Sequence, residues 1–260
     1  MNQPNIPVVI LCGGMGTRLR EETEFKPKPM VEVGGRPVLW HIMKMYAHYG
    51  FRRFILCLGY KGSIIKDYFL NYEAMSNDFT VHLGRQNQMT YQSDHTEQDF
   101  EITLADTGLR TMTGGRIKRI ERFIDTATFM ATYGDGLADV NIARLVEFHH
   151  AHGKLVTLTA SRPPSRYGIL DLSEDGQIVR FREKVQADWI NGGFFVFNRH
   201  VFDYLDPECV LEQEPLEHLA ADGQLMAFRH QGFWIGMDTY REYEMLNQMW
   251  DTGNAPWKVW

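Results

Sequence analysis

The chain predicts an α/β fold with a mixed, mostly parallel sheet flanked by helices, and three observations carry that expectation. Short apolar runs alternate with longer stretches of helical spacing along most of the 260 residues. The strand-like runs are continuously apolar, as expected where both faces of a sheet are covered. Glycines follow strands at Gly13 and Gly59 and close helices at Gly50 and Gly153. With 44% hydrophobic residues, the chain can bury one sizeable core.

The elements follow in order. Residues 6–12 (IPVVILC) form a buried strand. Arg36-Pro37 opens a helix, because proline's fixed φ suits the first turn. Val38, Ile42, Met45 and Tyr49 then recur at helical spacing before Gly50. A strand at 54–58 and a helix at 64–72 complete a strand–helix–strand–helix unit, which predicts parallel neighbours and right-handed crossovers. Residues 75–112 interrupt this rhythm. There DFTVHL and DFEITLA look like strands around a polar, Gln-rich segment, so the region is expected to be an insertion, a flexible loop or an oligomer contact. The alternation resumes with a helix at 113–123, a strand at 127–133, a helix at 141–152 and a strand at 155–160. Residues 168–198 read as strand–turn–strand around Asp175-Gly176. A helix at 214–221, a strand at 225–230 and a helix at 238–250 close the pattern.

Bulk properties exclude some functions. A net charge of −6 argues against a nucleic-acid binder relying on phosphate contacts. No apolar stretch is long enough for a membrane-spanning helix. Cys12, Cys57 and Cys209 form no CxxC pair and suit buried thiols in a cytoplasmic protein. His149, His150 and His152 sit at a helix end, where imidazoles suit terminal carbonyls better than they suit a metal.

The chemistry starts after the first strand. Gly13, Gly14 and Gly16 allow backbone amides to approach a ligand closely, Thr17 adds a hydroxyl, and Arg18 a planar fork for phosphate. Leu19 stands where a dinucleotide fingerprint needs its third glycine, and no Walker A spacing can be drawn. The alternative is a tight strand-to-helix turn with a surface arginine. Phe25-Lys26-Pro27-Lys28-Pro29-Met30 then holds two lysines on a stiff, extended backbone, suited to aiming an ammonium at phosphate or to a solvated connector. Asp135 follows the strand ending in TFMATY, where open α/β sheets place ligands. Asp238 follows GFWIGM. The pair suits Mg²⁺, although Asp135 also fits a turn and Asp238 a helix cap. Asp139 is a weaker third carboxylate.

The sequences GGMGTRL and KPKPMVEVGGRPVLWHIM, continued by GYKG, MTGGR, YGDG, INGGFFVFN, GFW, MDT and NAPWKVW, resemble the sugar-phosphate nucleotidyltransferases (nucleoside-diphosphate-sugar pyrophosphorylases) over essentially the whole chain. That resemblance implies a Rossmann-like nucleotidyltransferase fold with β-rich insertions, in a single domain over 1–260. Its nucleotide-binding portion would lie at about 1–140, its sugar-binding portion at about 141–240 and its insertion at about 75–112. It also implies transfer of a cytidylyl group from CTP to α-D-glucose 1-phosphate, with Mg²⁺ and a homo-oligomer, possibly a hexamer. UTP, dTTP or another hexose phosphate are the nearer alternatives, and a non-catalytic sugar-nucleotide binder the more distant one.

By the resemblance, Arg18 and Lys28 are catalytic: Arg18 binds the triphosphate and departing pyrophosphate, and Lys28 contacts the α-phosphate. Lys26 is the weaker lysine. The nucleotide would be bound by Leu11, Cys12, Gly13, Gly14, Met15, Gly16, Thr17, Arg18, Lys28, Thr111, Arg116 and Gly134. Arg116 donating to cytosine O2 and N3 would favour CTP, since uracil opposes a donor at N3. Metal would sit on Asp135 and Asp238. The sugar phosphate would meet Gly168, Glu183, Lys184, Asn191 and Gly192, although Val185 replaces the family's proline after Lys184 and puts that lysine's aim in question. The final APWKVW is expected to pack on a surface or a neighbouring subunit.

Overall fold

A computed structural model describes residues 5–84, 88–92, 95, 97, 99–163, 168–183 and 188–260. The chain begins with β1 (Val8–Cys12), α1 (Arg20–Thr23), the ribbon of β2 (Glu32–Val33) and β3 (Arg36–Pro37), and α2 (Val38–His48). It continues through β4 (Arg53–Leu58), α3 (Gly62–Leu70), α4 (Tyr72–Ser76), the ribbon of β5 (Phe79–His82) and β6 (Gln88–Tyr91), and β7 (Glu101–Asp106). Then come α5 (Thr113–Arg119), β8 (Thr128–Tyr133), β9 (Gly136–Ala138), α6 (Ile142–His152) and β10 (Val156–Ser161). The rest comprises the hairpin of β11 (Ile169–Leu172) and β12 (Ile178–Arg182), β13 (Ile190–Asn198), α7 (Glu214–Ala221), β14 (Leu225–His230), β15 (Trp234–Gly236) and α8 (Tyr240–Asp251).

Seven strands form the central sheet in the order β14-β10-β13-β8-β1-β4-β7. β13 runs antiparallel to both of its neighbours, while every other neighbouring pair is parallel. The expected mixed, mostly parallel sheet is therefore present. The inner strands β1 and β4 are almost continuously apolar because each feeds two cores. Along β1, Val8, Ile10 and Cys12 face one layer with Ile42, Phe54 and Phe194. Val9 faces the other, with Ile117, Phe129 and Phe195.

Several boundaries differ from the sequence expectation. The helix expected at 64–72 breaks at Asn71, whose side-chain amide donates to the Asp67 carbonyl at 2.8 Å and competes with the helical ladder. The helix at 113–123 ends at Arg119 and tightens into a 3₁₀ turn over Glu121–Phe123, which lets Ile120 and Ile124 both reach the core. Arg36–Pro37 pairs with Glu32–Val33, so α2 starts one residue after Pro37. Among the described residues of 75–112, the β5–β6 ribbon stands apart from the central sheet. β7 belongs to the central sheet, paired parallel to β4. The terminal Trp257 is fully buried, stacked on Phe233 at 5.6 Å, and Trp260 meets Trp40 edge-on, so the last segment packs on its own chain.

Candidate active site

Parallel pairing brings three strand ends to one edge of the sheet. Cys12 lies beside Leu58, and Leu11 beside Tyr133, so the loops opening at Gly13, Gly59 and Gly134 are neighbours. Ligands bind at this carboxyl edge in open α/β sheets. Gly134 donates its N–H to the Leu11 carbonyl at 3.1 Å, and a β-carbon there would lie 2.8 Å from Pro29 and 2.9 Å from that same carbonyl. Only glycine permits this approach, which presses the proline–lysine segment against the strand end.

The carboxylates come together through a small ribbon. β9 and β15 pair with Gly136 opposite Gly236, and Met237 donates its N–H to the Asp135 carbonyl at 2.9 Å. Asp135 and Asp238, distant in sequence, thereby flank one point, and Lys28 Nζ occupies it. The ammonium lies 2.6 Å from Asp135 Oδ2 and 2.7 Å from Asp238 Oδ1. Arg18 donates to the other Asp238 oxygen at 2.9 Å. Lys28 is only 8% exposed. Burial alone would lower its pKa, but the charges and hydrogen bonds of Asp135 and Asp238 prevail and raise it above the ordinary lysine value. Arg18, by contrast, is a mostly exposed side chain (76%) at the rim. Lys26 points elsewhere, 3.5 Å from Glu32. Asp139 pairs with His230 at 3.0 Å. The helix cap is Thr239, in a capping box with Glu242, so Asp238 keeps its side chain for the cluster.

Two carboxylate oxygens converging on one cation are hard ligands of the kind Mg²⁺ accepts. Among the described residues, no group of three or more His, Cys, Asp or Glu surrounds a single metal position. The protein would therefore offer two ligands and leave the remainder to phosphate oxygens and water.

In the glycine loop, Gly14, Met15, Thr17 and Arg18 are exposed, and Gly16 and Leu11 half-buried. Cys12 turns into the core, and burial pushes its thiol well above the ordinary value, so only its backbone faces the cleft. Arg116 departs from the expected base reader. It is 4% exposed, and both terminal guanidinium nitrogens are committed within the chain. One donates to Leu58 O at 3.0 Å, Thr107 Oγ1 at 2.8 Å and Gly108 O at 2.8 Å. The other donates to Gly13 O at 3.0 Å. A β-carbon at Gly13 would sit 2.1 Å from this guanidinium. Arg116 thus clasps three strand-end loops rather than presenting a free fork to a base. Thr111 is buried in the loop entering α5.

On the sugar side, a β-carbon at Gly168 would lie 2.7 Å from the Phe181 ring and 3.1 Å from Glu183 Oε2, across the β11–β12 hairpin. Lys184 falls outside the described residues. Asn191 and Gly192 open β13, with the Gly192 carbonyl held by Trp234 Nε1 at 2.7 Å.

The Nucleotidyl transferase family matches residues 7–248. This chain belongs to that family. It is 52% identical over 256 residues to glucose-1-phosphate cytidylyltransferase of Salmonella typhi, covering 97% of this chain and 98% of that protein. It is 46% identical to a probable glucose-1-phosphate cytidylyltransferase of Bacillus subtilis, covering 97% and 99% respectively. HddC from Yersinia pseudotuberculosis superposes with a TM-score of 0.68 at 23% identity, covering 94% of this chain and 99% of that one. An apo UDP-glucose pyrophosphorylase gives 0.68 at 14% identity, covering 95% and 99%. At these identities the structural likeness bears on fold alone, and it agrees with the nucleotidyltransferase architecture of the family.

Sequence reasoning missed three residues of the site. Tyr133 joins Asn191 to Glu212, and Glu242 braces the backbone at Asp238. No local pattern marks Glu212. Glu242 was detectable as the fourth residue of Thr239-x-x-Glu242, the capping-box spacing.

Proposed function

We propose that this chain transfers the cytidylyl group of CTP to α-D-glucose 1-phosphate, forming CDP-glucose and releasing pyrophosphate. The near-full-length likeness to the Salmonella typhi enzyme carries this reading. The clustering of Lys28, Asp135 and Asp238 at the carboxyl edge of the sheet agrees with it. A phosphate oxygen of the sugar attacks the α-phosphorus in line. The bond from that phosphorus to the β-bridging oxygen breaks, and pyrophosphate leaves. The nucleophile is already anionic at neutral pH, so no general base is needed, and catalysis rests on positioning and charge.

Backbone amides of the loop from Gly13 to Thr17 approach the triphosphate. Arg18, at the exposed rim, holds its β and γ groups and then the pyrophosphate. Lys28 delivers a fixed positive charge to the α-phosphate. Asp135 and Asp238 would hold Mg²⁺, which supplies further neutralisation of the triphosphate when bound. Asn191, Gly192, Gly168, Glu183 and Lys184 are assigned to the hexose phosphate. This places the nucleotide on about 1–140 and the sugar on about 141–240. Arg116, with its fork already occupied, shapes the nucleotide cleft. Cytosine selection is then left to backbone and side-chain groups around Thr111.

We further assign the chain to a homo-oligomer, up to a hexamer, in the cytoplasm. The free thiols Cys12, Cys57 and Cys209 suit a reducing compartment, and exposed apolar residues such as Val81 and Met89 on the β5–β6 ribbon suit self-association.

The deciding experiment sets CTP, UTP, dTTP, GTP and ATP against glucose 1-phosphate in Mg²⁺, scored by pyrophosphate release. CTP is expected to lead. Equal or greater release with another triphosphate overturns the base assignment, and no release with any triphosphate overturns the substrate assignment.

A further inference from the structure

A hydrogen-bonded chain joins α5 and the loop before α7 to the ends of β8 and β13. Glu212 stands in the loop before α7, where Thr113, the first residue of α5, donates its hydroxyl to Glu212 Oε2 at 2.6 Å. The same threonine oxygen accepts from Leu211 N at 2.9 Å, so both the carboxylate and its backbone are tied to one point. The other carboxylate oxygen, Oε1, accepts the phenol proton of Tyr133. The phenol oxygen in turn accepts from Asn191 Nδ2 at 3.3 Å, and Asn191 Oδ1 accepts from Gly193 N at 2.9 Å.

Donor and acceptor bookkeeping gives this chain a direction. The Gly193 amide can only donate, so the Asn191 oxygen must face it and the amide nitrogen must face Tyr133. An amide nitrogen cannot accept a proton, so the phenol must give its own to another group and turn a lone pair toward Asn191. Glu212 is that group. With both ends fixed, one Nδ2 hydrogen is spent on the phenol and the second is left for an oxygen in the cleft. Tyr133 is the last residue of β8 and lies two positions before Asp135, so the phenol is anchored on a core strand of the sheet.

We propose that Glu212 is a positioning residue for the hexose side of the site, acting through the Tyr133 hydroxyl to fix the amide of Asn191 as a donor to a sugar oxygen. This deepens the cytidylyltransferase reading and rests on its assignment of Asn191 to the sugar.

The test compares Glu212→Ala, Glu212→Gln, Tyr133→Phe and the Glu212→Ala/Tyr133→Phe double variant. Calorimetric affinities for CDP-glucose and for CDP are measured in Mg²⁺, together with the KM for each substrate. Glu212→Ala and Tyr133→Phe are each expected to weaken CDP-glucose, and to raise the KM for glucose 1-phosphate, by about five- to tenfold, the scale of one hydrogen bond to a positioned group. CDP affinity and the KM for CTP should stay within about twofold. Glu212→Gln, whose amide oxygen still accepts from the phenol, should recover most of the loss. The double variant should be no worse than either single one, because both break the same link. Unchanged CDP-glucose affinity in Glu212→Ala, equal weakening of CDP and CDP-glucose, or losses that multiply in the double variant would each overturn the proposal. Tyr133→Phe, which removes the same link at its other partner, keeps the proposal open to refutation if the alanine variant misfolds. Wild-type protein releasing no pyrophosphate from CTP would instead overturn the substrate reading, and the binding measurements still judge Glu212 on their own.

Discussion

Lys28 shows how one side chain can be aimed by its neighbours in sequence. Pro27 and Pro29 fix the backbone on either side, and the lysine is left 8% exposed with its ammonium between two carboxylates. Its raised pKa keeps it charged across the neutral range, and any stability it contributes is lost only as pH climbs through that raised value. Replacing it with methionine keeps most of the stem and removes the charge. Lys28→Met is expected to lower kcat by about 10²- to 10³-fold, the scale of one transition-state charge contact, while Lys26→Met stays within about threefold of wild type. Steady-state kinetics on both variants checks this, and comparable losses would withdraw the distinction between the lysines. Asp135→Asn and Asp238→Asn should each abolish Mg²⁺-dependent turnover while leaving the thermal melt of the protein cooperative. Lys28 was legible in the sequence because proline restricts the backbone locally. Arg116 was not legible in the same way. Its type suggested base recognition, but its role depends on three loops that meet only when β1, β4 and β7 are paired. Replacing Arg116 with alanine should therefore depress kcat/KM for every triphosphate by a similar factor. A change confined to the CTP/UTP ratio, seen in a competition assay, would return Arg116 to base readout.

Among the elements, the β9–β15 ribbon and the start of α8 determine where Asp238 stands. The Glu242 carboxylate accepts from Asp238 N at 2.7 Å and Thr239 N at 2.9 Å, and Thr239 Oγ1 accepts from Glu242 N at 3.4 Å. This capping box satisfies the first amides of the helix and also fixes the backbone that carries the candidate metal ligand. Glu242→Ala is expected to cost about 1 kcal/mol of stability, as cap removal generally does. It should also weaken binding of Mn²⁺, used as a paramagnetic stand-in for Mg²⁺. Glu242→Gln should lose much less of either. Urea denaturation and Mn²⁺ titration report the two effects separately, and an unchanged Mn²⁺ affinity in Glu242→Ala would limit the cap to a stability role. The main strands and helices were legible because their apolar periodicity reports burial directly. The breaks at Asn71 and Arg119 were not, since each depends on a side-chain bond or a core demand that spacing does not encode. The ribbon joining residues 136–138 to 234–236 is a long-range pairing of two very short strands, and nothing local in either half announces the other.

At the scale of the whole molecule, the two cores enclose histidines that the chemistry does not use. His41 is fully buried against Trp250 and Trp257 and hydrogen-bonded to the Val33 carbonyl at 2.8 Å. Burial pushes its pKa down to about 4. His149 is buried on α6, where its Nδ1 meets the Thr157 hydroxyl at 2.9 Å, and burial together with His152 and His150 pushes it down to about 4 as well. In the unfolded chain both imidazoles return to about 6.5. Between those values the unfolded state binds more protons than the folded one, so stability falls as pH drops from about 6.5 toward 4. Over pH 6 to 5, above the range where ordinary carboxylates titrate, uptake approaches one proton per ring. The expected slope is then about 2.5 kcal/mol per pH unit for the pair. His152 is lowered by burial as well and adds to the wild-type slope. His149→Gln removes one titrating ring while keeping an amide able to meet Thr157, and it should reduce the slope by about 1.2 kcal/mol per pH unit whatever it does to stability at pH 7. Urea midpoints at pH 7, 6 and 5 for wild type and His149→Gln measure both quantities. A flat wild-type profile would mean that the rings are protonated in the folded protein, and the cores would then have to supply them with partners other than the neutral ones seen at Val33 and Thr157.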